Sequence, residues 1–248
     1  MKNLLTQLWL PVLVLLTLGL ATAGSTSFYF PPFTDVLVTL WTDLTQGTLL
    51  HDLLFSMRNV LAGLAIALLA GVLLGILIGE SDGLREAAQP FLDYMRATPM
   101  VAFVPVIILT FGIGSAPKVF LIALAATWPI LLNTVSGVHG ISPAVRESVR
   151  AYRIPAVLRL RRVLLPGALP QIFAGIRISL SVSVVMMIVG EIYGSPEGLG
   201  HFVLHAGTSF QVKDVWAGTL LIGVIGYLMT LVLIAIEHAS LGWYERTR

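Results

Sequence analysis

His201 and His205 stand four residues apart, one helical turn, a spacing at which two imidazoles can share a zinc ion. No third ligand stands nearby, and a pair of surface or packing histidines accounts for the spacing with fewer requirements. Cysteine is absent from all 248 residues, which removes thiolate nucleophiles, cysteine metal sites and disulfides. The chain also lacks G-x-S-x-G for an activated serine, H-E-x-x-H for a zinc peptidase and G-x-x-x-x-G-K-[ST] for nucleotide phosphates. We therefore expect no catalysis, metal or cofactor in this chain, and any ATP and Mg to be handled elsewhere.

The unusual chemistry is positive charge. The segment VRESVRAYRIPAVLRLRRVLLPGALP, residues 145–170, holds six of the twelve arginines in a chain that is 56% hydrophobic. Ser142-Pro143 ahead of it is a favoured helix start, an N-cap followed by proline at the first helical position. Val145, Val149 and Tyr152 recur at helical spacing, with Arg146, Arg150 and Arg153 on another face. Ile154-Pro155 interrupts that helix, because the residue before proline is pushed from the helical region. A second short helix is expected, with Val157, Leu160 and Leu164 on one side and Arg159, Arg161 and Arg162 on the others, until Pro166 and Pro170 break the chain again. Two uses fit such a segment: anchoring on anionic lipid headgroups, or docking to a soluble partner.

The elements that carry this segment belong in a bilayer. Only 11% of residues are charged, against about a quarter in soluble domains, and mean hydropathy is +0.90. Six apolar runs approach the length of about 20 residues that a spanning helix needs, at 4–23, 60–79, 99–114, 119–138, 172–189 and 215–236. They do not alternate polar and apolar residues as barrel strands do. The expectation is an all-α polytopic membrane protein with six transmembrane helices in a single domain, 1–248, and a loop at 139–170. The third run is short and carries Pro99 and Pro105. The first also suits a cleavable signal peptide, with Lys2 ahead and Ala21-Thr22-Ala23 behind; we read it as a retained span.

Basic residues near span ends tend to stay cytoplasmic. With the N-terminus inside, eleven of the fifteen Lys and Arg fall inside, among them Lys2, Arg85, Arg96, Arg246, Arg248 and the six of the loop. Arg58, Lys118 and Lys213 fall outside, and Arg177 sits within the fifth run. Both termini and the loop are accordingly expected in the cytoplasm. Within the spans Arg177 is the one ionisable group, close enough to an end to snorkel, and this scarcity argues against a proton- or sodium-driven carrier. Ser179 and Ser183 share a helix face, with Met186, Met187 and Glu191 further along. Such serines line a path or bond their own helix. Gly63, Gly71, Gly75 and Gly79 form a small-residue face for close contact, within one chain or between two. Residues 28–59 are polar enough to lie outside the bilayer, with Pro31-Pro32 ahead of an amphipathic stretch.

The loop resembles the E-A-A loop of the permease subunits of binding-protein-dependent ABC importers. Glu147-Ser148-Val149 occupies the E-A-A position, Arg153 that of a following glycine, and Val163-Leu164-Leu165-Pro166 the I-x-L-P position. The stretches LDYMRATPMVAFVPVIILTFGIGSAPKVFLIALAATWPILLNTVSGV and GEIYGSPEGLGHFV are similar to the nitrate/sulfonate/taurine branch. The resemblance implies an importer permease working as a homodimer with cytoplasmic ABC ATPase subunits and an extracytoplasmic solute-binding protein, in the bacterial inner (plasma) membrane. It implies ATPase coupling through Glu147, Ser148, Val149, Arg150, Tyr152, Arg153 and Pro166. It also implies a translocation path formed by the third to fifth spans, where Arg177, Ser179, Ser183 and Met187 are the candidates. The cargo expected is a small solute such as a sulfonate or nitrate-like oxyanion. A secondary carrier or a polytopic membrane enzyme is the alternative. Arg153 departs from the family's glycine and is costly if that turn is left-handed; either Pro155 builds the turn differently, or the partner's groove accepts the extra charge.

Overall fold

A computed structural model describes residues 2–245; Arg246 and Arg248, counted above among the inner charges, lie outside them. The described residues form eleven α-helices and no strand. In chain order these are α1 (Lys2–Thr22), α2 (Phe33–Gln46), α3 (Leu49–Glu80), α4 (Asp82–Ala97), α5 (Val104–Phe111), α6 (Ser115–His139), α7 (Pro143–Ala151), α8 (Ala156–Arg159), α9 (Leu165–Gly194), α10 (Leu199–Thr208) and α11 (Val212–Glu245). A 3-10 turn, Met100–Phe103, leads into α5, and a π-wound stretch, Leu160–Leu164, joins α8 to α9.

Four helical runs among the described residues are long and apolar enough to cross a bilayer: Leu49–Glu80, Ser115–His139, Ala156–Gly194 and Val212–Gly242. A fifth candidate is bent, with α4 and Met100–Phe111 turned by 82°. The third run expected from sequence is thus half of a broken helix. Pro99 is the cause: it forces Thr98 to an extended backbone (φ −79°, ψ 123°), which ends α4. The first run, 4–23, falls in α1, whose described apolar part is Val12–Thr22.

The expected break at Pro166 and Pro170 does not occur. Both prolines lie inside one helical run from Ala156 to Gly194. Proline removes a backbone donor, and the turn before it winds wider, so that the Leu165 N–H reaches the Leu160 carbonyl. The second short helix is therefore the beginning of the long one.

The chain divides into two compact units, and the division falls within α3 and α11. In the unit formed by residues up to Phe55 with Glu197–Val224, the polar stretch after α1 is tied down by specific bonds. Thr22 Oγ1 accepts from the Phe33 N–H at 3.1 Å, the Trp216 indole donates to the Tyr29 carbonyl at 3.0 Å, and Lys213 pairs with Asp35 at 2.8 Å. Buried Asp52 accepts from the Gly198 N–H at 2.7 Å, capping the start of α10.

In the unit formed by Ser56–Pro196 with the residues after Val224, α6 is the central helix, packed between α3 and α9. The expected glycine face of α3 lies against α6 of the same chain. A Cβ at Gly63, Gly71, Gly75 or Gly79 would come within 2.9 Å of a side-chain atom of Ile122, Ile130, Thr134 or Val138. Small residues let two backbones approach, the usual source of helix affinity where lipid is as apolar as leucine. Against α9, Gly137 and Gly175 meet α9 and α6 backbone in the same way. Val138, Leu164, Ala168 and Ile172 close a buried cluster between these helices.

Candidate functional site

The loop between α6 and α9 is built on α7. Pro143 sits in its first turn, and Val149 is buried, which seats the helix on the bundle. Its end is a left-handed turn: Arg153 has φ +50°, the Ile154 N–H bonds to the Val149 carbonyl at 3.1 Å, and the Tyr152 N–H to Ser148 at 3.0 Å. This is the 6→1 closure that glycine normally supplies. Arg153 therefore adopts the backbone conformation that glycine most readily takes, and Pro155 follows the turn without replacing it.

The six arginines of the segment do not form one surface. Arg146 donates to the Val138 carbonyl in the last turn of α6 at 2.5 Å and to the Ile141 carbonyl just past its end at 3.4 Å. Arg159 pairs with Glu80 at the end of α3. Arg150, Arg153, Arg161 and Arg162 are exposed and make no ion pair among the described residues. Glu147 is exposed beside them, Ser148 Oγ bonds back to the Ala144 carbonyl at 2.9 Å, and Pro166 is half-buried in the helix behind. Tyr152 projects furthest, at 82% exposure, with Val145 and Val157 also uncovered. Two arginines thus fix the loop, and four with Tyr152 face outward from it.

Ser179, Ser183 and Met187 lie on the buried face of α9. Ser179 Oγ donates to the Ala126 carbonyl at 2.6 Å, and Ser183 Oγ to Ser179 at 2.7 Å. Arg177, on the exposed side, pairs with Glu237 of α11 at 2.5 Å. His201 and His205 lie with ring centroids 6.1 Å apart, and no group of three metal-capable side chains gathers among the described residues.

The reading of Arg177 as the one ionisable group inside the spans does not hold. Lys118 and Glu191 are 2% and 0% exposed, and Ser56 Oγ donates to the Glu191 carboxylate, 2.8 and 2.9 Å from its two oxygens. Lys118 Cγ stands 3.6 Å from where a Cβ on neighbouring Gly190 would be, and Asn59, 1% exposed, lies one turn from Ser56 on α3. Cutting each span at its first charge hid this cluster; α6 and α9 continue past those charges. A glutamate between an apolar run and a glycine-rich loop is the signal that was available.

The sequence profile described as binding-protein-dependent transport system inner membrane component matches residues 67–243. The chain belongs to that family. SsuC of Bacillus subtilis (strain 168), named for aliphatic sulfonates transport, is 30% identical over 225 residues, 91% of this chain and 81% of its own. The taurine transport system permease protein TauC of Escherichia coli (strain K12) is 30% identical over 221 residues, 87% of this permease and 80% of TauC. A chain of the inward-facing MetNI methionine ABC transporter superposes with a TM-score of 0.68 at 19% identity, over 79% of this permease and 97% of that chain. That likeness is one of fold.

Proposed function

We propose that this permease is the membrane subunit of an ATP-driven ABC importer that passes a small sulfonate or related oxyanion, delivered by an extracytoplasmic binding protein, into a bacterial cytoplasm. It works as a homodimer with two ABC ATPase subunits. Six spans, the bent pair counted as one and α1 as another, put both termini and α7 inside, as the charge bias requires. The ends of α6 and α9 at Ser115 and Gly194 then face outward.

The observation that carries this reading is α7 with its left-handed end. Val149 and Arg146 hold it to the bundle from one side, while Glu147, Arg150, Tyr152 and Arg153 stand uncovered on the other. A helix fixed to the central span and exposed to the cytoplasm transmits a push from a partner into α6 and α9. Pro166 stiffens the start of the helix that receives it. Transport past Ser179, Ser183 and Met187 requires the α6–α9 packing to open, which is the work such a push would do, with Arg177 at the inner mouth.

Affinity capture of the tagged chain from solubilised membranes, with an ATPase assay on what is retained, tests the reading. The expected result is a stoichiometric nucleotide-binding subunit, lost in Glu147→Arg while insertion of the chain is unchanged. A chain that purifies alone and moves solute without ATP would overturn it.

A further inference from the structure

We propose that a cavity of about 400 Å³ beside the break in α4 is a solute site for a small organic anion, an inference that rests on the importer reading above. Its wall is made by Arg96 at the end of α4, Thr98 and Met100 across the break, and Trp128, Asn133 and Ser136 on α6. The size lies within the range of about 300–1,000 Å³ typical of small-molecule sites.

Depth comes from α6. Trp128 is roughly 20 Å along the helix from Ser115 and Ser136 about 5 Å from its other end, at 1.5 Å per residue. The cavity therefore spans the middle and the inner third of the bilayer. Arg96, assigned to an inner loop by charge counting, stands at that level. A guanidinium there is tolerated where it meets water or an opposite charge, and Arg96 is exposed with no ion pair among the described residues. No carboxylate lines the wall.

The donors sort in the same direction. Thr98, Ser136 and Asn133 already donate to the carbonyls of Tyr94, Leu132 and Pro129. The Trp128 indole nitrogen is itself buried, so Trp128 offers ring surface to the wall and no donor. Arg96 thus supplies the N–H groups still to be satisfied, and a guanidinium favours an anionic oxygen. Met95, Met100 and Ile178 face the rest of the cavity, which suits a short apolar tail. The helix break fits as well, since transporters hold solutes where spanning helices are interrupted near mid-bilayer.

The absence of cysteine makes a direct test possible. Ser136→Cys in the full chain would be labelled with 2-sulfonatoethyl methanethiosulfonate, whose head is an ethanesulfonate, and with its trimethylammonium counterpart. The anionic reagent is expected to react faster than the cationic one by about tenfold relative to their ratio on free cysteine, the scale of one nearby charge. Adding Arg96→Gln should return the ratio to the solution value, and ethanesulfonate should protect the thiol. An unchanged ratio in Arg96→Gln, or no protection, would overturn the site; Asn133→Cys repeats the measurement if Ser136→Cys does not fold. In vesicles bearing the whole complex, ATP-driven uptake of ethanesulfonate unaffected by Arg96→Gln would also overturn the site while leaving the importer reading intact. No ATP-dependent uptake by the unaltered complex would remove that reading and leave the labelling result to decide the site by itself.

Discussion

Ser56 on α3 reaches across to Glu191 on α9 with its hydroxyl 2.8 and 2.9 Å from the two carboxylate oxygens, and both residues are completely buried. A carboxylate inside a helix bundle persists only where donors and a positive charge compensate its lost hydration. Lys118 of α6 is buried with its stem beside Gly190, the residue before Glu191. The cluster thus draws polar groups from the three helices that form the core of this unit. Ser56→Ala leaves the carboxylate short of a donor and is expected to destabilise the permease by about 1–3 kcal/mol. Thermal unfolding in detergent, with Ser56→Thr retaining the hydroxyl and recovering part of the loss, checks it.

The glycine face of α3 makes a second demand. A Cβ on Gly75 would lie 2.5 Å from Thr134 Cβ and 3.0 Å from the Leu131 carbonyl, so α3 and α6 must separate to admit it. Gly75→Val is expected to cost about 1–3 kcal/mol through overpacking. Gly83→Val, where a Cβ meets nothing within 4 Å, should cost far less in the same unfolding assay.

Those glycines show what periodicity can reveal and what it cannot. Four glycines on one apolar face declare a close helix contact, and the contact is there, but its partner is set by tertiary packing. The end of α7 near Tyr152 was legible because Pro155 follows it, whereas the left-handed backbone at Arg153 was one of two turns the sequence allowed. Pro166 and Pro170 misled, because proline ends a helix unless the preceding turn can widen, and no local signal announces the π winding at Leu160–Leu164. The cluster of Ser56, Asn59, Lys118 and Glu191 was illegible for a different reason. Hydropathy treats a charge as the end of a span, whereas a charge with partners on neighbouring helices is buried inside one. Arg177 was seen, and its partner Glu237, 60 residues on, was not.

Arg153 stands at φ +50°, where a side chain costs roughly 1 kcal/mol or more relative to glycine. Arg153→Gly should therefore raise the unfolding midpoint of the isolated permease. If the exposed guanidinium also contacts the ATPase, the same variant should bind that subunit less tightly, so stability and partner affinity move in opposite directions. Arg153→Val, β-branched and uncharged, should lower both. Parallel melting and capture measurements on the two variants separate the backbone effect from the charge.

Asp43 on α2 supplies a pH dependence outside the spans. Burial, and then the charge of Asp214, raise its carboxyl above the ordinary value of 3.8. The folded chain consequently holds this proton more tightly than the unfolded chain does. The resulting stability is fully present below about pH 3.8 and is lost as pH rises through the elevated folded pKa. At neutral pH the ionised Asp43 is a cost, so Asp43→Asn should raise the unfolding midpoint there. The advantage of the variant should shrink as pH falls towards 4, where the native side chain is itself neutral. Unfolding midpoints of both proteins across pH 4 to 8 test this; a difference that stays constant over the range would show that the Asp43 carboxyl does not titrate there. Asp214→Asn removes the neighbouring charge and leaves burial, and should recover only part of the gain.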